Sequence, residues 1–355
     1  MTPSKRRFRN AFLGATLPWI IPAGASLGGL QDPAYTSLDS LEFSEVGRLG
    51  VLEGDPTQMF GDVTALSVDE SRGVLFVLDR LGHRLSAFTI AGEFIDWAGG
   101  QGAGPGEFTR PVAMVSAWGS VHVVDWGQNR LTRFQLDSDN LGYAGELRLP
   151  VAGPTKVCLL DDALFLLRYQ EGSGHIVHRV DQAANLASSF GSPFVEGDAF
   201  MAAATDDGLL ACDDAYRRVY VVSRAVPRAR GYSANGALLW DIELPGVETA
   251  VITRERGVVR WNPPPGRSTN DRPVTLVPAP GGRFLVQVQE GVWGQATDPA
   301  TVARTFLIDG ESGEILDESY DIPRIELFSG DLAFSRVAEP VPHVVIREWT
   351  WSRDE

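Results

Sequence analysis

The chain's five histidines are His83, His122, His175, His178 and His343, and imidazole is its best candidate for metal chemistry. None pair at the H-x-x-x-H or H-E-x-x-H spacing that seats zinc on one helix face. His122 in VHVV and His178 in HIVHRV alternate with apolar neighbours and read as ordinary strand residues. His83, His175 and His343 remain as a three-histidine set for a metal ion. Paired carboxylates stand at Asp161-Asp162, Asp206-Asp207 and Asp213-Asp214; the first two fall where hairpin turns are expected. Asp137-Ser-Asp139-Asn140 lacks the Gly and the closing Glu of a calcium loop. GYSANG, at 231–236, is one residue too long for G-x-S-x-G, and no Walker lysine motif occurs.

The elements that must position these residues come from an internal repeat. GVLFVLDRLGHRLSAFTIAGEFIDWAG, from Gly73, aligns with GSVHVVDWGQNRLTRFQLDSDNLGYAG, from Gly119. Asp79 falls on Asp125, Arg84 on Arg130, Leu85 on Leu131 and Phe88 on Phe134. DDALFLLRYQEGSGHIVHRV (from Asp161), GLLACDDAYRRVYVVSR (from Gly208), GGRFLVQVQ with RTFLIDGESGEIL, and DLAFSRV with HVVIREWTW carry the pattern on. The last alignment sets Asp213 beside Asp79 and Asp125, where a recurring Asp caps backbone N–H groups more simply than it does chemistry. Each copy reads as short alternating strands broken by tight turns such as AGE (91–93), SDN (138–140) and ANG (234–236). Four short strands per ~45 residues, in six copies, describe an all-β, six-bladed β-propeller. The segment from Phe43 parallels an outer strand without a blade, and HVVIREWTW lacks its outer strand. Joining the two closes the ring and removes two sheet edges.

In this frame GGQGAGPGEFTRP, residues 99–111, links one blade to the next. G-x-G-x-x-G fails in it, and no helix follows to hold a phosphate. Its glycines serve a chain swinging from rim to axis, and Phe108 is expected to plug between blades.

VLDRLGHRLSAF and VVDWGQNRLTRF resemble the NHL repeat, and the G-x-G-x-G-x-F-x-x-P stretch resembles that repeat's usual junction. The resemblance is close over about 50–140 and loose beyond. It implies a six-bladed ring of the exported bacterial type, without fixing an activity. Peptidylglycine amidating lyases share the repeat and hold zinc through histidines that follow the junction proline. Here Val112 follows Pro111 and Thr155 follows Pro154, and the parallel positions near Val63 and Met201 also lack histidine. That departure speaks against this enzyme. Repeat turn chemistry also accounts for His83, which stands where the repeat usually has His or Asn.

Composition narrows the partners. The net charge is −15, and no basic cluster follows the N-terminus, so nucleic acid is not expected. Lys5, Arg6, Arg7 and Arg9, an uncharged run from Ala11, and Ala23-Gly24-Ala25 read as a signal peptide over 1–25. A linker over 26–41 and the propeller over 42–355 follow, with an insertion at about 246–272. An uncleaved anchor is the alternative reading of the first segment. With cleavage the protein is expected to be extracytoplasmic, periplasmic or secreted, with no membrane contact. Cys158 and Cys212 form either a disulfide, which export permits, or two buried thiols.

The expected ligand site is the funnel formed by blade junctions and second-to-third-strand loops. Arg80, Arg110, Trp126, Tyr169, Tyr216 and Trp293 vary there and suit a glycan, peptide or protein ligand through stacking and hydrogen bonds. The expected function is a binding or interaction module with no cofactor and no catalysis assigned. The alternative is a lyase or lactonase using calcium or zinc in the same funnel.

Overall fold

The computed structural model describes residues 36–292 and 303–352. The described residues form six antiparallel four-stranded sheets, and a separate two-stranded hairpin stands between the fourth and fifth. Blade one is Val63–Asp69, Val74–Asp79, Arg84–Thr89 and Phe94–Gly99, from the axis outward. Blade two is Pro111–Ala117, Ser120–Asp125, Arg130–Asp137 and Asn140–Arg148. Blade three is Lys156–Leu160, Ala163–Gln170, His175–Val180 and Leu186–Phe190. Blade four is Gly208–Asp213, Arg218–Ser223, Arg228–Ser233 and Leu238–Glu243. Blade five is Asn270–Ala279, Arg283–Val292, Arg304–Asp309 and Ile315–Ser319. The innermost strands touch their neighbours in turn, and that of blade six meets that of blade one.

Blade six supplies only Leu327–Ser329, Leu332–Val337 and His343–Trp351 from the C-terminal end. Its outer strand is Leu41–Leu49, paired antiparallel from Leu41 opposite Trp351 to Leu49 opposite Val344. The ring is thus closed by the first strand of the chain, as expected. Leu49, Phe60, Leu75, Phe88, Phe334 and Val344 form one core across this seam, so closure buries apolar surface as well as backbone.

Burial follows strand position. Every residue of Val74–Asp79 is buried, because a second strand is covered by a sheet on each side. Outer strands such as Phe94–Gly99 contain no buried residue. Phe108 is fully buried against Phe134, in a cluster drawn from blades one and two, which is the plug expected of it.

Because successive strands alternate in direction, the blade junctions and second-to-third-strand loops share one face of the ring. First-to-second and third-to-fourth turns occupy the other. This geometry corrects the reading of blade four. GLLACDD is the innermost strand, not the second, so Asp213 ends on the opposite face from Asp79 and Asp125. Met201 does not stand near the start of that innermost strand; it lies in a short helix, Ala199–Ala204, within the junction before it. The Pro-rich stretch between blades four and five contains the hairpin Val251–Glu255 and Val258–Asn262. It clasps that helix: Arg254 pairs with Asp198 and lies 4.5 Å above the ring of Phe200.

The cysteines are joined. Cys158 and Cys212 form a disulfide with their Cα atoms 5.7 Å apart, linking the innermost strands of blades three and four.

Candidate functional site

The repeat residues explain how the junction face is built. Both oxygens of Asp79 accept backbone N–H groups, from Gly61, Asp62 and Gly82 at 2.8–3.0 Å. Asp125 does the same for Thr109, Arg110 and Gly127 at 2.8–3.2 Å. The paired arginines take the carbonyls. Arg84 donates to Pro56 and Met59, and Arg130 donates to Ala103, Gly104 and Glu107. The glycine loop therefore turns carbonyl oxygens inward around a guanidinium, the reverse of a phosphate cradle. Gly99 and Gly106, at φ 129° and 76°, supply left-handed backbone for that curl. His83 and Asn129 share a left-handed position (φ 48° and 51°) and each bonds the following junction, His83 at the carbonyl of Phe108. His83 is a turn residue.

The expected ligand set is not brought together. Arg110 stacks on Trp126 at 4.5 Å, and both stand on the junction face at blade two. Arg80, at blade one, is held by Asp62 at 2.5 Å. Tyr169 packs into the core shared by blades three and four, and its N–H donates to Asp206 at 2.7 Å. Tyr216 lies in the first-to-second-strand turn of blade four, on the opposite face, for the reason given above. Trp293 lies outside the described residues. Nor do the histidines converge. Among the described residues no three His, Cys, Asp or Glu side chains are grouped to hold a metal ion, so His83, His175 and His343 form no three-histidine site. His343 is buried with its Nδ1 at the carbonyl of Val341, 2.7 Å away. His122 and His178 are buried strand residues, and burial followed by Arg133 lowers His122 to about 4.

The structure instead assembles a charged cavity on the axis. It has a volume of about 180 Å³, and every blade contributes to its wall. Aliphatic side chains such as Ala65, Ala113, Val157, Leu209 and Val274 share that wall with Thr64 and Thr275, and no aromatic residue lines it. Lys156, Glu326 and Arg336 supply its charges. Behind them stand Asp207, Arg224, Arg272 and Arg324. Arg224 and Arg272 both pair with Asp207, at 3.3 and 2.9 Å. Arg324 and Arg336 share Oε1 of Glu326, each at 2.9 Å. These four arginine side chains are only 11–20% exposed. Lys156 lines the cavity and has no hydrogen-bond or ion-pair partner among the described residues.

Among the described residues Lys156, Arg224, Arg324 and Arg336 thus outnumber the carboxylates of Asp207 and Glu326, in a chain whose net charge is −15. The electrostatics register the excess. Burial would raise Glu326, but Arg336, Arg324 and Lys156 overcome it and hold the carboxyl below its ordinary range. Burial, reinforced by Arg224 and Arg336, lowers Lys156 to about 7, with Asp207 and Glu326 opposing. Burial also lowers Arg224 and Arg324. A smaller cavity of about 90 Å³ adjoins between blades six and one, lined by Asp62, Arg324 and Arg336. Asp62, the partner of Arg80, is the link between the expected set and this site.

No basic run announces the cluster, because its members come singly from blade three to blade six. Asp206-Asp207 is not a turn pair: Asp207 holds two of the arginines, and Asp206 pairs with Arg168 at 3.2 Å. One signal was present in the sequence. Of 31 lysines and arginines only Lys5 and Lys156 are lysine, so the propeller has a single lysine and places it in the cavity.

A family model described as a 6-bladed beta-propeller (DUF5128) matches residues 52–181. No curated protein matches the chain. Among solved structures it is similar to a Bacteroides fragilis protein described as exported, at 10% identity and a TM-score of 0.56, over 88% of this chain and 96% of that one. A member of the DUF4221 family from Bacteroides vulgatus is 8% identical with a TM-score of 0.55, over 88% and 99%. Virginiamycin B lyase from Staphylococcus aureus is 13% identical with a TM-score of 0.51, over 90% and 96%. At these identities the likeness is one of fold, and it agrees with the six blades. Among the described residues no helix is long and apolar enough to cross a membrane.

Proposed function

We propose that this propeller is an extracytoplasmic binding module whose axial cavity holds the carboxylate end of a small ligand. The carrying observation is the excess of cations among the described residues: Lys156, Arg224, Arg324 and Arg336 against Asp207 and Glu326. Buried like charges repel, and a bound anion relieves both the repulsion and the unmet desolvation. Guanidinium groups match a carboxylate in shape as well as charge. The acidic remainder of the chain turns polyanions away, so the cavity selects a single charged group that can enter it. Its volume of about 180 Å³ limits what enters to a small group such as the charged end of a ligand.

The ligand classes are a glycan ending in a uronic acid and a peptide ending in a free carboxylate. Export is part of the proposal, supported by the Cys158–Cys212 disulfide and by the basic, then uncharged, N-terminal sequence. So is assignment to the NHL-repeat class, supported by the matching duties of Asp79 with Asp125 and Arg84 with Arg130.

Ligand-induced shifts in melting temperature test the reading with matched pairs: glucuronate against glucose, and a short peptide acid against its amide. Stabilisation by the acid of either pair, and not by its neutral partner, is expected, and the responding pair identifies the source. Equal responses from acid and neutral partners would sink the proposal.

A further inference from the structure

The single lysine of the propeller stands where an arginine would serve an anion better. Elsewhere the chain supplies its positive charge with arginine, on the surface and in the core alike. Arginine stays protonated, donates in a planar fork and suits a carboxylate. What lysine adds is an amine that can lose its proton and become a nucleophile. Lys156 is positioned for that use. It begins the innermost strand of blade three, on a backbone fixed by pairing from Lys156–Leu167 to Leu160–Ala163. Its side chain has no partner to hold it as an ammonium, whereas Arg324 and Arg336 are spent on Glu326 and Arg224 on Asp207. Ala113, Val157 and Leu209 of the innermost strands stand beside it in the wall, and its burial there disfavours the charged form.

We infer that Lys156 captures the carbonyl carbon of a small oxo acid as an imine. This rests on the cavity's reading as a carboxylate site and adds a covalent step to it. The ligand carries a carboxylate, drawn in by the net positive charge of the surrounding guanidinium groups, and an aldehyde or ketone carbon beside it. The Nζ lone pair adds to that carbon, and the carbonyl oxygen takes a proton to give a carbinolamine. Loss of the oxygen as water, with both hydrogens originating on the amine, leaves the C=N bond. Water reverses the step. No oxidant, reductant or metal enters. Burial first, and then Arg224 and Arg336, lower the amine to about 7, so much of it is neutral at physiological pH.

Glyoxylate with cyanoborohydride is the test, because reduction of an imine fixes the adduct for mass spectrometry. Lys156 is the one lysine after Lys5, so the modified peptide identifies the site, with the chain's terminal amine as internal reference. A single adduct on Lys156 is expected, forming at least about tenfold faster than with glycolaldehyde, which has the carbonyl but no carboxylate; tenfold corresponds to about 1.4 kcal/mol. Propionate, a carboxylate without the carbonyl, is expected to slow it. Labelling no faster than that of the terminal amine, while calorimetry still detects propionate binding, would overturn the imine and leave the carboxylate site standing. Absence of both the adduct and propionate binding would overturn the two together.

Discussion

Nη2 of Arg336 donates to Oε1 of Glu326 at 2.9 Å, while its Nη1 donates to the carbonyls of Val63 and Thr64 at 2.9 and 2.8 Å. One side chain of the last blade therefore grips the first strand of blade one and puts a cation into the axial cavity. Closure of the ring and assembly of the site share this residue.

Replacing Arg336 with Met is expected to lower stability by about 2–4 kcal/mol, since it leaves a buried carboxylate with one partner and two carbonyls without a donor. The triple change R324M/R336M/E326L removes the whole ion-pair group without stranding a charge and is expected to recover much of the loss. Urea unfolding of the two variants checks this; a triple variant less stable than R336M would contradict it.

The disulfide has a separable role. Cys158 and Cys212 are 54 residues apart in sequence, and neither lines the cavity. The paired change C158S/C212S is expected to cost about 4 kcal/mol, the value for constraining a loop of that length in the unfolded chain. Carboxylate binding measured by calorimetry is expected to stay within about twofold, because the variant's effect lies mainly in the unfolded state.

Asp79→Ala and Asp125→Ala each remove three charge-assisted acceptor contacts to backbone N–H groups. A loss of about 2–3 kcal/mol is expected for each. Hydrogen exchange provides a local readout: the amides of Gly61, Asp62 and Gly82 lose protection in the first variant, and those of Thr109, Arg110 and Gly127 in the second.

Stability should depend on pH through Lys156. Its amine is lowered from 10.5 to about 7 in the folded chain, by burial first and then by Arg224 and Arg336, against Asp207 and Glu326. Between those values the unfolded chain holds a proton that the folded chain does not, so stability rises with pH across this window. Below about pH 7 the cost of burying the ammonium is present in full. Urea midpoints of the wild type at pH 6, 8 and 9.5 are expected to climb relative to those of Lys156→Gln. Carboxylate affinity is expected to run the other way and weaken as pH passes 7, because the ammonium is lost.

The architecture was legible because a propeller repeats its instructions. Asp79 with Asp125 and Arg84 with Arg130 announce the junction clasps, and the unpaired segments at the two ends announce the seam. Blade four shows the limit of that reading. Its innermost strand, like the second strands of blades one and two, is an apolar run that ends in an Asp before a short turn. GLLACDD was therefore assigned one strand too far out, which carried Tyr216 to the wrong face. The axial site was not legible as a motif. Lys156, Arg224, Arg272, Arg324 and Arg336 occur on three innermost-strand or junction segments and two second-strand ends, and only closure of the ring brings them within reach of one another. Their one trace in the sequence is the isolated lysine.

The central claim, a carboxylate site on the axis, is tested most directly by titrating glucuronate and glucose calorimetrically into the wild type, Lys156→Gln, and the surface control Arg254→Gln. The account predicts binding of glucuronate alone, weakened about tenfold by Lys156→Gln, the equivalent of about 1.4 kcal/mol, and unaffected by the control. Equal heats for the two sugars, or glucuronate binding that survives Lys156→Gln and falls with Arg254→Gln, would contradict it.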